Sequence, residues 1–152
     1  MSNDGCGSPG PRRPGLPGLV DPAVFVARVL MADIFVVEGY TTIVHYADVV
    51  AYMAQYRVPG VLLPLVIVTE LCGGLMVLGG LMTRWAAVAL AGFAVLTALI
   101  FHSDFADAEQ MINFQKNLAM AGGFLVLAAF GPGAWSLDHW RAGSRARAPA
   151  PP

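Results

Sequence analysis

Apolar residues fall into four long stretches that polar segments separate. The stretches cover about residues 21–43, 59–82, 85–101 and 111–130. Each is close to the ~20 helical residues that cross a bilayer core of roughly 30 Å. Thr83 and Arg84 mark a tight turn between the second and third stretches, and Gly131-Pro132-Gly133 ends the fourth. The pattern predicts an all-α, polytopic membrane protein built as a bundle of four transmembrane helices.

A shorter amphipathic stretch lies between the first two apolar ones. Tyr46, Tyr52 and Tyr56 recur there at helical spacing, together with Val49 and Met53. Tyrosine is enriched where a membrane meets water, so we predict a short interfacial helix between helices 1 and 2. An extended end of the first helix is the alternative.

Composition strengthens the membrane assignment. Apolar side chains make up 57% of the 152 residues and charged ones only 12%, against about 25% charged in ordinary soluble domains. The lipid bilayer is therefore the expected partner. The net charge of −1 gives no basic surface for nucleic acid. Cys6 and Cys72 lie too far apart to indicate a disulfide framework, and no cluster with metal-ligand spacing is present, so we predict no metal site.

The arginines predict an orientation, because short positively charged segments stay in the cytoplasm. They precede the first stretch, separate the second from the third, and follow the fourth: Arg12, Arg13, Arg84, Arg141, Arg145 and Arg147. We expect a protein of the cell inner (cytoplasmic) membrane with both termini in the cytoplasm. Residues 1–20 and 139–152 are predicted to be disordered tails, and residues 21–138 form the membrane domain.

Ionisable residues inside the apolar stretches are the candidates for function. A charge at mid-bilayer costs about 2.5–3.5 kcal/mol on insertion scales, so each needs a partner or a wet cavity. Glu70 lies near the middle of the second stretch, and Lys116 in the fourth is its natural partner. Asn113 and Asn117, one turn apart beside Lys116, form a polar stripe that must face the bundle interior. These residues either form a site or only lock the helices together.

The first stretch carries three ionisable residues on different sides. At 100° per residue, Arg28, Asp33 and Glu38 lie at about 0°, 140° and 280° around the helix axis, so no single buried face contains all three. We infer that a second copy or another membrane subunit covers this helix. The alternative is that one of the acids is uncharged.

Several blocks in order identify the sequence as similar to the DoxX family of four-helix membrane proteins, over about residues 24–138. The blocks include Glu70-Leu71-Cys72-Gly73-Gly74, Leu78-Gly79-Gly80-Leu81-Met82-Thr83-Arg84, His102, residues 113–123 and Ser136-Leu137-Asp138. The resemblance implies quinone or redox partners. Some relatives are similar to the membrane subunit of thiosulfate:quinone oxidoreductase, and others act in thiol-stress complexes.

We therefore hypothesise an integral membrane subunit of a quinone-linked or thiol/oxidative-stress redox system. Quinone is the cofactor that the resemblance suggests. Its candidate site consists of Glu70, His102, Asn113, Lys116 and Asn117, which would supply hydrogen bonds and protons near the outer leaflet. The competing hypothesis is a non-catalytic accessory or scaffold subunit of a larger complex. No catalytic residue is assigned, and a lone His such as His102 is commonly just an interfacial residue.

Overall fold

The computed structural model describes residues 18–146, and their side chains as far as residue 144. This part of the chain forms six α-helices and no strand: α1 (Val20–Val44), α2 (Tyr46–Gln55), α3 (Leu63–Gly79), α4 (Thr83–Phe101), α5 (Ala108–Phe130) and α6 (Leu137–Ala146). A 3-10 turn, Gly60–Leu62, leads into α3. The all-α prediction is confirmed.

The four long helices pack in the order α1, α3, α4, α5, and α1 touches α5 far less than it touches α3. At one end, the beginning of α1 meets the segment after α5, where Arg28 bonds Trp135. At the other, the end of α4 meets the beginning of α5, where His102 bonds Gln110. We call these the Arg28 end and the His102 end.

Small residues allow the helices to approach one another closely. The buried face of α4 carries Ala86, Ala87, Ala91, Ala94 and Ala98. A Cβ built on Gly73 would lie 2.9 Å from Leu90 of α4, and one on Gly74 would lie 2.9 Å from Val36 of α1. The two glycines thus bring α3 against a helix on either side.

Two segments are long and apolar enough to cross a membrane: Gly60–Gly79 and Thr83–Phe101. Only 22% and 33% of their most hydrophobic windows are buried, so most of their apolar surface faces outward, unlike a soluble protein's core helix. Crossing by all four long helices stays a prediction. The tyrosine-rich stretch is a helix of its own, α2, separated from α1 by His45. Its position at the interface also stays a prediction.

Helix α6 extends past the domain boundary that we predict at residue 138. The Ser136 hydroxyl accepts a hydrogen bond from the His139 amide at 3.2 Å, and the Ser136 carbonyl accepts one from the Trp140 amide at 3.1 Å. Ser136 therefore starts helix α6, whose residues 139–146 fall in the stretch that we predict to be a disordered tail. Residues 1–17 and 147–152 of the two predicted tails lie outside the described residues.

Candidate functional site

A cavity of about 350 Å³ lies between α1, α3, α4 and α5, toward the His102 end. We call it the polar cavity. All five candidate site residues line it, together with Glu38: Glu70, His102, Asn113, Lys116 and Asn117. The rest of the lining is Ile34, Phe35, Phe93, Thr97 and Met120. Residues from four helices, between Ile34 and Met120 in the sequence, thus converge on one space.

Glu70 is the most buried acid of this cavity. It is 9% exposed, and its Oε2 atom is fully buried with no hydrogen-bond partner among the described residues. A Cβ built on Gly39 of α1 would lie 3.1 Å from the Glu70 Cβ, so α1 and α3 are in close contact at this level. Leaving a buried carboxyl oxygen unpaired costs on the order of 1–3 kcal/mol or more. A bound polar group or a proton would remove that cost.

Helix α5 contributes the polar stripe. It begins at Asp107, whose Oδ1 accepts a hydrogen bond from the Glu109 amide at 2.9 Å. Lys116 Nζ donates to Asn113 Oδ1 at 3.0 Å, and Asn117 Nδ2 donates to the Asn113 carbonyl at 3.0 Å. Lys116 therefore bonds within α5, because Asn113 is its neighbour one turn away. The contact between Lys116 and Glu70 that the sequence led us to expect is not formed. Both residues still line the same cavity.

His102 follows the last turn of α4, and its Nδ1 lies 2.8 Å from Gln110 Oε1. With Nδ1 donating to that oxygen, a neutral imidazole has its second nitrogen, Nε2, as an acceptor. Gln110 is a residue that the sequence analysis missed. The signal available was its spacing of eight residues from His102 across a short loop, which is too general to single it out.

Aromatic side chains pack next to the polar cavity. Phe35 and Phe93 line it, and Phe35 makes edge contacts with Phe93 and Phe124, at centroid distances of 6.3 and 5.3 Å. Near the His102 end, Tyr52 stacks on Phe101 at 5.6 Å without lining this cavity. Burial, with the nearby Tyr56, raises the pKa of Tyr52 to about 12, so this phenol is neutral at physiological pH. Phe35 and Phe93 thus place apolar surface beside the polar groups.

The three charged residues that follow Asp21 in α1 occupy three different surroundings. Arg28 is 1% exposed and lies at the Arg28 end, where Nη2 donates to the Trp135 carbonyl. Asp33 is exposed on the outer surface of α1. Only Glu38 lines the polar cavity. Arg28 and Asp33 are therefore not part of the candidate site.

Comparisons with known proteins place this helical arrangement in a family. Inner membrane protein YqjF of Escherichia coli (strain K12) is 49% identical over 121 residues, which cover 80% of this chain and 93% of YqjF. Inner membrane protein YphA of the same strain is 35% identical over 123 residues, or 76% of this chain and 88% of YphA. No solved structure matches. The DoxX family profile matches residues 23–103, from α1 through the end of α4. The chain therefore belongs to the DoxX family.

Proposed function

We propose that this chain is a multi-pass inner membrane subunit that binds a quinone ring in the polar cavity and serves a quinone-linked redox system. The observation that carries the proposal is Glu70, a residue of the polar cavity that is only 9% exposed and whose Oε2 atom has no hydrogen-bond partner among the described residues. Two relatives bear the name of inner membrane proteins, which supports the location. The arginine distribution supports cytoplasmic termini.

The residues around the cavity fit a quinone ring. Its volume of about 350 Å³ lies within the range of roughly 300–1,000 Å³ that is usual for small-molecule sites. A quinone presents two carbonyl oxygens, which accept hydrogen bonds, on a flat apolar ring. Lys116 and Asn117 carry N–H donors, and Phe35 and Met120 offer apolar surface. A bound quinone would supply two-electron redox chemistry that no amino-acid side chain provides in this form.

The chain's own residues would hold the ring and handle protons. Lys116, kept in place by Asn113, would orient one ring carbonyl. Glu70 would hold a proton beside the apolar rings of Phe35 and Phe93, and His102 lines the same cavity at the end of α4. A carboxyl group and an imidazole along one cavity can pass protons between its interior and the aqueous side. Electrons would come from a partner oxidoreductase.

A second candidate function is that of a non-catalytic accessory subunit, and the position of Asp33 favours it. Asp33 is exposed near the middle of α1, between the exposed apolar residues Leu30 and Val37. A carboxyl group facing lipid at that depth is costly. A neighbouring subunit, either a second copy or a different membrane protein, would cover it.

Bound quinone distinguishes the two candidates. The full chain is purified in mild detergent, and the quinone extracted per protein is measured for wild type, Glu70→Gln and Lys116→Met. Glu109→Gln is the matched control, because Glu109 is exposed in the first turn of α5 and does not line the cavity. We expect wild type and control to retain quinone and each cavity variant to lose about tenfold or more, the effect of removing a hydrogen bond to a charged group.

Equal quinone in all four proteins would contradict the proposed site. Other membrane subunits co-purifying with wild type that carries no quinone would support the accessory role instead.

A further inference from the structure

A second, mostly apolar cavity adjoins the polar one. It has a volume of about 340 Å³ and lies between α2, the first half of α3 and the second half of α4. Representative lining residues are Val49, Met53, Leu62, Val66, Leu96 and Ile100. We call it the apolar cavity.

The two cavities share part of their lining. Four side chains border both of them: Glu70, Phe93, Thr97 and His102. The buried carboxyl group of Glu70 is therefore next to a polar space on one side and an apolar space on the other. A ligand that fills both spaces needs a compact polar head and an apolar extension.

The apolar cavity also reaches the outer surface of the helices. Leu65 and Leu96 line it and are at the same time 64% and 56% exposed. Leu65 lies on α3 and Leu96 lies on α4, the two helices that are long and apolar enough to cross a membrane. In a bilayer this opening would face lipid. A long hydrocarbon chain could then begin in the apolar cavity and continue into the surrounding acyl chains without exposure to water.

We infer that the apolar cavity receives the first isoprenoid units of a lipid quinone whose ring occupies the polar cavity, so that the chain selects tailed quinones over tailless ones. This inference rests on the proposed function, because the ring must first bind beside Glu70. It adds the class of ligand, a membrane quinone with a prenyl tail, and the route by which that ligand enters from the lipid between α2, α3 and α4.

The test compares quinones that differ only in their tails. A dimethoxy-methyl-benzoquinone ring without a tail and the same ring with two isoprene units are titrated against the full chain in lipid nanodiscs. Val66→Trp fills the apolar cavity, and Leu96→Phe is a milder second variant. Val126→Trp is the matched control, since Val126 is 59% exposed on α5 and lines neither cavity. Monodispersity and thermal unfolding confirm that each variant is folded.

We expect Val66→Trp to weaken binding of the tailed quinone by about tenfold or more, since one blocked isoprene unit removes several buried methylene-sized groups. Leu96→Phe should also weaken binding of the tailed quinone, and Val126→Trp should leave that binding unchanged. Binding of the tailless ring should stay within about twofold in all three variants, because the polar cavity is intact.

Each remaining outcome overturns a defined part of the account. If Glu70→Gln abolishes binding of the ring but both cavity-filling variants bind tailed quinone like wild type, the tail site is wrong and the proposed function stands. If both variants weaken tailed and tailless quinones equally, the apolar cavity does not distinguish a tail, and the inference fails. If wild type binds neither quinone, the proposed function fails and the inference with it.

Discussion

The guanidinium group of Arg28 donates a hydrogen bond of 2.5 Å from Nη2 to the backbone carbonyl of Trp135, 107 residues further along the chain. Arg28 is almost fully buried, and its charge also lies over the Phe25 ring, 5.6 Å from the centroid. The bond ties the beginning of α1 to the segment that follows α5. Asp21 adds a second tie, because its Oδ1 accepts a hydrogen bond from the Ala134 amide at 2.8 Å. The Arg28 end is thus closed by polar contacts to a loop.

Replacing Arg28 by lysine should destabilise the protein although the charge is kept. The lysine side chain ends one bond short of the arginine Nη2 position, so the Trp135 carbonyl would lose its partner at a cost of about 1–3 kcal/mol. Arg84→Lys, at an exposed position in α4, should change the free energy of unfolding by less than about 0.5 kcal/mol. Denaturant unfolding in detergent measures both. If Arg28→Lys and Arg84→Lys lowered the free energy of unfolding equally, the hydrogen bond from Arg28 to Trp135 would add nothing to stability.

Gly80 should not tolerate a side chain. Its φ of +68° is in the left-handed region, and a Cβ built there would lie 1.9 Å from Arg28 Nη1 and 2.5 Å from the Ser136 Cβ. We expect Gly80→Ala to lower the unfolding temperature strongly. Gly92→Ala, inside α4, is the opposite case, because a Cβ built on Gly92 has no heavy atom of another residue that packs against it within 4 Å. It should be neutral or stabilising by up to about 1 kcal/mol. A stable Gly80→Ala protein would contradict the packing at the Arg28 end.

Asp138 caps a helix that begins 55 residues before it. Its two carboxylate oxygens accept hydrogen bonds from the amides of Met82 and Thr83, at 2.8 and 2.9 Å, and Oδ2 also accepts one from the Thr83 hydroxyl at 2.9 Å. Met82 has a left-handed φ of 45°, which this contact holds in place. Partial burial acts to raise the pKa of Asp138, but these hydrogen bonds and the charge of Arg141 lower it overall.

The stability that Asp138 contributes should therefore depend on pH. A lowered pKa means that the ionised form favours the folded state, so the contribution is present above the ordinary value of 3.8 and is lost as the pH falls below it. Asp138→Asn should cost about 0.5–2 kcal/mol at pH 7, the usual range for a helix cap, and progressively less below pH ~4. Thermal unfolding of wild type and Asp138→Asn at pH 7 and below pH ~4 measures this difference in stability. Asp48→Asn, in the exposed first turn of α2, should show no such difference, and a pH-independent loss for Asp138→Asn would contradict the capping role.

The proposed topology predicts opposite accessibility for two exposed serines. Ser103 lies in the loop after α4, and Ser144 lies in α6. In a background with Cys6 and Cys72 replaced by serine, a membrane-impermeant maleimide should label Ser103→Cys in intact spheroplasts. It should label Ser144→Cys only after the membrane is opened. The reverse pattern would invert the orientation, and labelling of both in intact spheroplasts would contradict a membrane crossing by α5, the long helix between the two positions.

Four of the candidate site residues could be predicted from the sequence because each is an ionisable or amide side chain inside an apolar stretch: Glu70, Asn113, Lys116 and Asn117. Solvation cost favours an inward-facing position or a covering partner for such groups, and helical spacing places Asn113, Lys116 and Asn117 together. Their actual partners could not be predicted. Lys116 has Asn113 nearby and Glu70 across the cavity, and the choice depends on distances that spacing does not give.

Long-range polar contacts and apolar spaces also escaped the sequence analysis. The carboxylate of Asp138 caps α4 across 55 residues, and nothing in the local sequence of either segment indicates the partner. The apolar cavity is lined by ordinary Leu, Ile and Val residues, which are indistinguishable from lipid-facing ones until the helices are packed.

A photoreactive quinone tests most directly whether the polar cavity is the ligand site. A quinone carrying a diazirine on its ring is cross-linked to the protein in nanodiscs, and the modified residues are identified by peptide mass spectrometry. We predict modification at residues that line the polar cavity, and its loss when excess unmodified quinone is present: Glu38, Glu70, Phe93, Thr97, Asn113, Lys116, Asn117 and Met120. Labelling spread over outward-facing residues such as Leu30 and Val126, or labelling that unmodified quinone does not displace, would contradict the account.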